Sequence, residues 1–463
     1  MQHPMMIHNL LQPVSVWMPT TYMDGKVVLL LLLLLSLGNL YHYNSCMCKP
    51  LPTGQFRWVD LAQDSRFVDA PTLLAYPSEG STGVFIEVDL DYPEHLHPAH
   101  NDLPLAPEKI IVSRAHVSPF QSQMADELGL NLGGEKLVTS LNPKRNMVLH
   151  IKNIQQYLKL GLELIKVHRV LEFNQSPWLK GYIEKNIEGR RQAKSSFMKN
   201  FYKLMINSIF GKTIEDVLNY RDIHICLEGK KFNKLVSNPL FKRASIHSSN
   251  FVTVELQKAV HKMNRPRYVG ITILALAKVE LYKFHYDIVR ANFPQAKLLF
   301  TDTDSLTYHI THAPAVDVYK VLKATDEMDF SNFPPDHEHF SQAFHLVPGK
   351  WKDENAGACV KEFVGLRAKM YSFLMTDGAV KSTAKGVQKS FQQRHLTHEE
   401  YKNVLMGQTK NMVENVNIIT DGHHRLRTVK SVKIGLNPLN DKRYITGPQG
   451  ESLAFGHCDI MTY

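Results

Sequence analysis

Apolar and polar positions along the chain follow two periods, and the changes of period place the elements. Residues 83–89 alternate with period two, which predicts a strand with Val84, Ile86 and Val88 on one face and Phe85, Glu87 and Asp89 on the other. The proline-rich stretch 93–107 reads as loop. Residues 153–170 carry Leu158, Leu162 and Ile165 at helical spacing, and 184–211 reads as one long basic helix. Mixed polarity over 223–251 predicts a small strand-containing insertion, and 271–289 a second long helix, this one apolar. Residues 297–310 are two apolar runs about Asp302-Thr303-Asp304-Ser305, the pattern of a hairpin with an acidic turn. Beyond Gly386 the chain reads as basic and helical, then as loops near Pro438 and Pro448. From Gly54 onward the pattern is mixed α/β (α+β), without repeats or low-complexity tracts.

Composition narrows the class. At 463 residues, 44% hydrophobic and 21% charged, this is an ordinary folded chain with room for one large core or roughly two to three domains. The formal charge of +10 and isoelectric point near 9.1 suit a polyanionic partner, nucleic acid or anionic membrane. Five scattered cysteines without a C-x-x-C pair fit a reducing compartment. The leucine run at 27–37 is shorter than the roughly 20 residues a membrane-spanning helix needs. Read from Met23 it looks like a secretory h-region, but the rest of the chain contradicts secretion. A stray translated segment is the simpler expectation. Residues 1–50 are therefore set apart, with no stable membrane association expected and nucleus or cytoplasm favoured over export.

The chemistry concentrates in the acidic turn. Carboxylates as close as Asp302 and Asp304 repel, and a divalent cation relieves them. Phosphoryl transfer uses such clusters to hold two metals about 4 Å apart. An ordinary Asp-rich turn gives the same letters. A second carboxylate belongs on a neighbouring strand: Asp89 is the candidate, with Glu87 and Asp91 as rivals, and Tyr92 is placed to wall a nucleotide sugar. On the basic helix, Lys199, Lys203 and Asn207 share a face with Arg191 not far round, while Phe197, Phe201 and Leu204 fall on another side. Such a stripe suits a triphosphate, though a solvated lysine face is the blander reading. His95, His97 and His100 have ligand-like spacing, but in a proline-rich loop a metal site is not expected.

At this point the residues resemble a family. Lys203-Leu-Met-Ile-Asn207-Ser208-Ile-Phe210-Gly211 resembles the K-x-x-x-N-S-x-Y-G motif of family B DNA polymerases, and Asp302-Thr303-Asp304-Ser305 their D-T-D-S. Gly349-Lys-Trp351-Lys, then Lys369-Met-Tyr371, is similar to the K-x-Y element of the protein-primed (type 2) branch. The stretches 96–108 and 362–367 resemble signatures of polymerases from large self-synthesising DNA transposons and related viruses.

The resemblance implies a right-hand polymerase lacking its exonuclease domain: palm at 54–93 and 264–386, fingers at 179–214, thumb at 387–463, branch insertions at 94–178 and 215–263, and an unassigned segment at 1–53. Asp89 and Asp304 would be the main ligands of two Mg2+ ions (Mn2+ as alternative), with Asp302 and the Leu90 carbonyl assisting. Arg191, Lys199 and Lys203 would bind the triphosphate; Asn207, Phe210 and Tyr92 would contact the nucleotide; Lys369 and Tyr371 would hold the primer end. The implied partners are DNA template and primer, dNTP and a terminal priming protein. Two departures stand out. The D-x-x-S-L-Y-P motif is shortened at Asp89, with Glu87 at the family's spacing, and Phe210 replaces a Tyr. No exonuclease D-x-E strand precedes Asp89, which predicts a fragment or truncated copy. The rival functions are a silent copy that binds nucleic acid and a nuclease using Asp89, His97 and His100; a reverse transcriptase would show Y-x-D-D.

Overall fold

The computed structural model describes residues 40–302, 305–311, 316–420, 425–447 and 452–460. Its central sheet is antiparallel throughout. Strands β1 (Leu51–Trp58), β2 (Thr82–Asp91), β3 (Lys144–His150) and β4 (Glu163–Ser176) lie in the order β1-β4-β2-β3. The predicted strand at 83–89 is therefore the inner β2. Val84, Ile86, Val88 and Leu90 enter the main core, while Phe85 on the other face packs with Phe173 and Ile271. Both faces are covered, so only the strand's end reaches solvent.

The helix expected over 153–170 stops early. Helix α1 (Ile151–Lys159) ends before Gly161, whose φ of +101° takes the chain out of helical conformation, and the remainder becomes β4. The spacing of Leu158, Leu162 and Ile165 straddles that turn, and Ile165 is exposed. The long basic helix is likewise two, α2 (Lys180–Gln192) and α3 (Ser196–Thr213). Ala193 is extended, and the Ser195 side chain accepts from the Met198 amide, capping the new helix. Helix α4 (Arg267–Lys283) continues through π-helical turns to Arg290, as the apolar run over 271–289 suggests.

The insertion is a three-stranded sheet of β5 (Asp222–Cys226), β6 (Phe241–Ser248) and β7 (Phe251–Leu256), with β7 central. The acidic hairpin comprises β8 (Lys297–Asp302) and β9 (Ser305–His309), with Asp302 directly opposite Ser305. A further sheet holds β10 (Val360–Arg367), β11 (Met370–Met375) and β12 (Val380–Ala384). The helical expectation beyond Gly386 holds only for two short helices, Lys389–His395 and His398–Met406. A long antiparallel ladder follows, β13 (Asn411–Thr420) with β14 (Leu426–Leu436), where Val413 and Leu436 pack inward. Among the described residues no helix is long and apolar enough to cross a membrane; the leucine run lies outside them.

The segment 92–105, expected as loop, contains two short helical turns, Glu94–Leu96 and His97–His100, and locks these parts together. The Tyr92 hydroxyl accepts from the Leu105 amide and shares a hydrogen bond with His100 Nδ1 at 2.8 Å. Asn101 bonds Ser452 and Ala454, and the buried Arg443 guanidinium reaches both its backbone and side-chain oxygens. Asp102 accepts the Leu298 amide of β8 at 3.0 Å. Tyr286 and Tyr282 donate to the carbonyls of Leu103 and Pro104.

Two predictions follow from this core. Tyr92→Phe leaves the Leu105 amide and His100 without a partner, and should cost roughly 1–3 kcal/mol in urea unfolding; an unchanged midpoint would show that the bonds are dispensable. The second concerns pH. Burial pushes His100 down to about 4, and His150 and His285 to about 3. These rings stay neutral in the folded protein while the unfolded chain takes up protons below about 6.5. Their stabilisation is complete above that pH and is lost as pH falls toward 4, by roughly 4 kcal/mol for the three together at pH 5.5. Urea titrations at pH 7.5 and 5.5 read this directly, and equal stability at both would contradict it.

Candidate active site

Asp89 sits where β2 stops being regular. The register against β4 slips after Glu87 and again after Asp89, and that against β3 slips between Val88 and Leu90. Such bulges turn side chains out of the strict alternation. Asp89 Oδ1 accepts from the Asn146 amide at 2.7 Å, and His168 Nε2 lies 3.0 Å away. Burial opposes ionisation, but the Asn146 amide, His168 and the Arg145 charge outweigh it and hold the carboxyl below the usual range. Oδ2 has no hydrogen bond among the described residues. Glu87 differs: it is buried and bonded to Arg169 Nε at 2.6 Å. Asp91 is half-buried with no partner among the described residues. The Leu90 carbonyl accepts from Arg145 Nη1 at 3.3 Å.

The structure brings two predicted motifs together at the hairpin. Lys369 Nζ lies 3.0 Å from Asp302 Oδ1, and the Ser305 hydroxyl donates to the Asp302 carbonyl. The Tyr371 ring packs 4.5 Å from that of Phe300 in β8. Thr303 and Asp304 lie outside the described residues, as does any distance from Asp304 to Asp89. Trp351, quoted above beside the K-x-Y element, is a core residue whose ring packs, tilted, 4.4 Å from that of Phe284.

On α3, Lys199 and Asn207 are exposed and Lys203 half-buried, and neither lysine has an ion-pair partner among the described residues. Arg191, on α2, pairs with Glu188. Phe210 stacks on Tyr43 with centroids 5.1 Å apart. The apolar side needs correction: Phe197, Phe201 and Leu204 are exposed rather than packed. Helix α3 instead docks through Ile206, through Tyr202 against Gly189, and through Thr213 and Ile214 against Gly270.

Tyr92 is also corrected. It is 4% exposed with its hydroxyl fully engaged, so it lies in the core and presents no face to a sugar in this arrangement. His97 and His100 serve the same network, His97 Nδ1 accepting from the Cys458 amide. Among the described residues, His457, Cys458 and Asp459, and separately Asp317, Glu338 and His339, come close enough to share an ion; neither set includes Asp89 or Asp302. Sequence reasoning missed Asn146, His168 and Arg145, which orient Asp89 and Leu90 from strands distant in the chain; no local signal marks them.

The residues present fit divalent magnesium or manganese. Asp89 is ionised with an oxygen to spare, Asp302 pairs with the long, half-exposed side chain of Lys369, and the donors are hard oxygens.

Against known proteins, no curated protein matches the chain. Solved structures share its fold. Phi29 DNA polymerase complexed with primer-template DNA and incoming nucleotide is 15% identical at a TM-score of 0.50, covering 92% of this chain and 59% of that one. An orthorhombic crystal form of Phi29 DNA polymerase gives 14% identity and 0.50, with 92% and 61% covered. The chain thus spans about three fifths of the solved structures it matches. The family model described as DNA polymerase type B, organellar and viral, matches residues 42–287, more than half of the sequence, and the chain belongs to that family.

Proposed function

We propose that the chain is the polymerase part of a protein-primed type B DNA polymerase, joining a deoxynucleotide to a primer 3′-hydroxyl under template direction. The observation that carries this is the meeting of the acidic hairpin with the K-x-Y element: Lys369 beside Asp302 and Tyr371 beneath β8. The family match supports the same reading.

In this reading the central sheet, α4 and the acidic hairpin form the palm (54–93 and 264–386). Helices α2 and α3 are the fingers (179–214), 94–178 and 215–263 the two insertions, and 387–463, with its β13–β14 ladder, the thumb. No part of 54–463 is assigned to a proofreading exonuclease. Asp89, Asp304, Asp302 and, once Arg145 moves aside, the Leu90 carbonyl would hold two divalent cations. When bound, these supply charge neutralisation at the attacking and leaving oxygens. The primer oxygen attacks the α-phosphorus, its proton is lost to solvent, and pyrophosphate leaves as the P–O bond to the β-phosphate breaks. Lys199, Lys203 and Arg191 grip the triphosphate, Arg191 exchanging Glu188 for phosphate. Asn207 and Phe210 orient the base, and Lys369 and Tyr371 seat the primer end. DNA, dNTP and a terminal protein as primer are the partners this requires.

Primer extension by the full chain with Mg2+ tests the assignment. Asp304→Asn should abolish incorporation while DNA binding survives, since losing a bridging ligand costs on the order of several kcal/mol of barrier. Asp89→Asn should be equally silent, and Glu87→Gln should retain most activity because its partner is Arg169. An Asp304→Asn protein extending at a tenth of the parent rate would sink the two-metal reading. Activity lost in Glu87→Gln but kept in Asp89→Asn would transfer the ligand to Glu87.

A further inference from the structure

We propose that Lys369 is a stand-in cation for Asp302. It neutralises that carboxylate while no divalent ion is bound, and on ion binding it releases the carboxylate and turns its ammonium to a primer phosphate. The proposal rests on the reading of Asp302 as a metal-site carboxylate given above.

The first support is position. Arg367 and Met370 face each other across β10 and β11, so Ala368 and Lys369 are the tip of a tight turn. Lys369 has φ +60°, the left-handed region that glycine or asparagine occupies at less cost. A lysine placed there against the backbone's preference is accounted for by its side chain, whose Nζ lies 3.0 Å from Asp302 Oδ1. The turn is held in place by the Lys369 carbonyl accepting from the Lys385 amide, and by Tyr371 packed on Phe300.

The second support is exchangeability. The lysine side chain is 42% exposed and the aspartate 26%, so water screens the pair and its net worth is small. A divalent ion with several oxygen ligands outcompetes one such contact. The four-carbon stem then lets the ammonium swing to a new anion without moving the backbone. Breaking one lysine contact and making another links the two ligands. Bound primer removes a competitor of the metal, and by reciprocity bound metal frees a donor for the primer.

Mn2+ binding to the full chain, followed by electron paramagnetic resonance, tests this with Lys369→Asn, Lys369→Arg, Asp302→Asn and Asp304→Asn. Without DNA, Lys369→Asn should bind Mn2+ about two- to fivefold more tightly than the parent, the range of an exposed ion pair. Its thermal stability should be equal or higher, because asparagine suits the turn. Lys369→Arg should restore parental binding, and primer-template DNA should strengthen Mn2+ binding less in Lys369→Asn than in the parent. Lys369→Asn binding no tighter than the parent, while Asp302→Asn and Asp304→Asn bind more weakly, overturns the stand-in role and leaves the metal site standing. If neither aspartate variant weakens Mn2+ binding, the metal-site reading itself fails.

Discussion

A segment with little regular structure can run through a protein interior only if its polar backbone groups find partners there, and residues 92–105, beyond their two short helical turns, meet that condition by borrowing from four distant segments. Two tyrosines of the α4 region, the β8 amide of Leu298, the Arg443 guanidinium and the C-terminal stretch 452–458 all bond to it. The consequence reaches the site. The segment begins at the end of β2, three residues after Asp89, and through Asp102 it grips the Leu298 amide near the start of the hairpin that carries Asp302. Two carboxylate-bearing elements far apart in sequence are thereby fixed to one frame.

The charges on that frame are treated differently according to their use. Glu87 is buried and tied to an arginine, the usual treatment of a structural carboxylate. Asp89, two residues on, is held ionised by an amide and by neighbouring positive groups while one oxygen stays uncommitted. Asp302 is paired with a lysine in water. Only the last two could accept a cation without first dismantling the core. The shortened motif, which in sequence left Glu87 and Asp89 as competitors, thus acquires a physical asymmetry.

What could be read in the sequence was whatever depends on local repetition. Strand β2, the hairpin at Asp302 and α4 follow from alternation, a tight turn and a long apolar run. The misreadings occurred where a single residue overrides the period. Gly161 ends a helix whose apolar spacing continues past it, and Ala193 with the Ser195 cap divides another. The β13–β14 ladder was hidden because its side chains are mostly exposed and its apolar alternation is diluted by asparagines in β13 and by basic residues in β14. His97, His100 and Tyr92 carried a chemical suggestion, yet they are core hydrogen-bonding groups: Tyr92 bonds His100 and the Leu105 amide, and His97 accepts from the distant Cys458 amide. Pairings at such separation, like those of Arg145 and Asn146 with the Asp89 strand end, leave no mark in a local pattern.

The account stands on Asp89 and Asp304 sharing metal ions. An experimental structure of the full chain with primer-template DNA, nucleotide and Mn2+ measures this directly. The carboxylate oxygens of Asp89 and Asp304 should lie roughly 4 to 6 Å apart with an ion between them, given metal–oxygen bonds near 2.1 Å. A separation beyond about 9 Å, with Glu87 nearer the ion, would contradict the account.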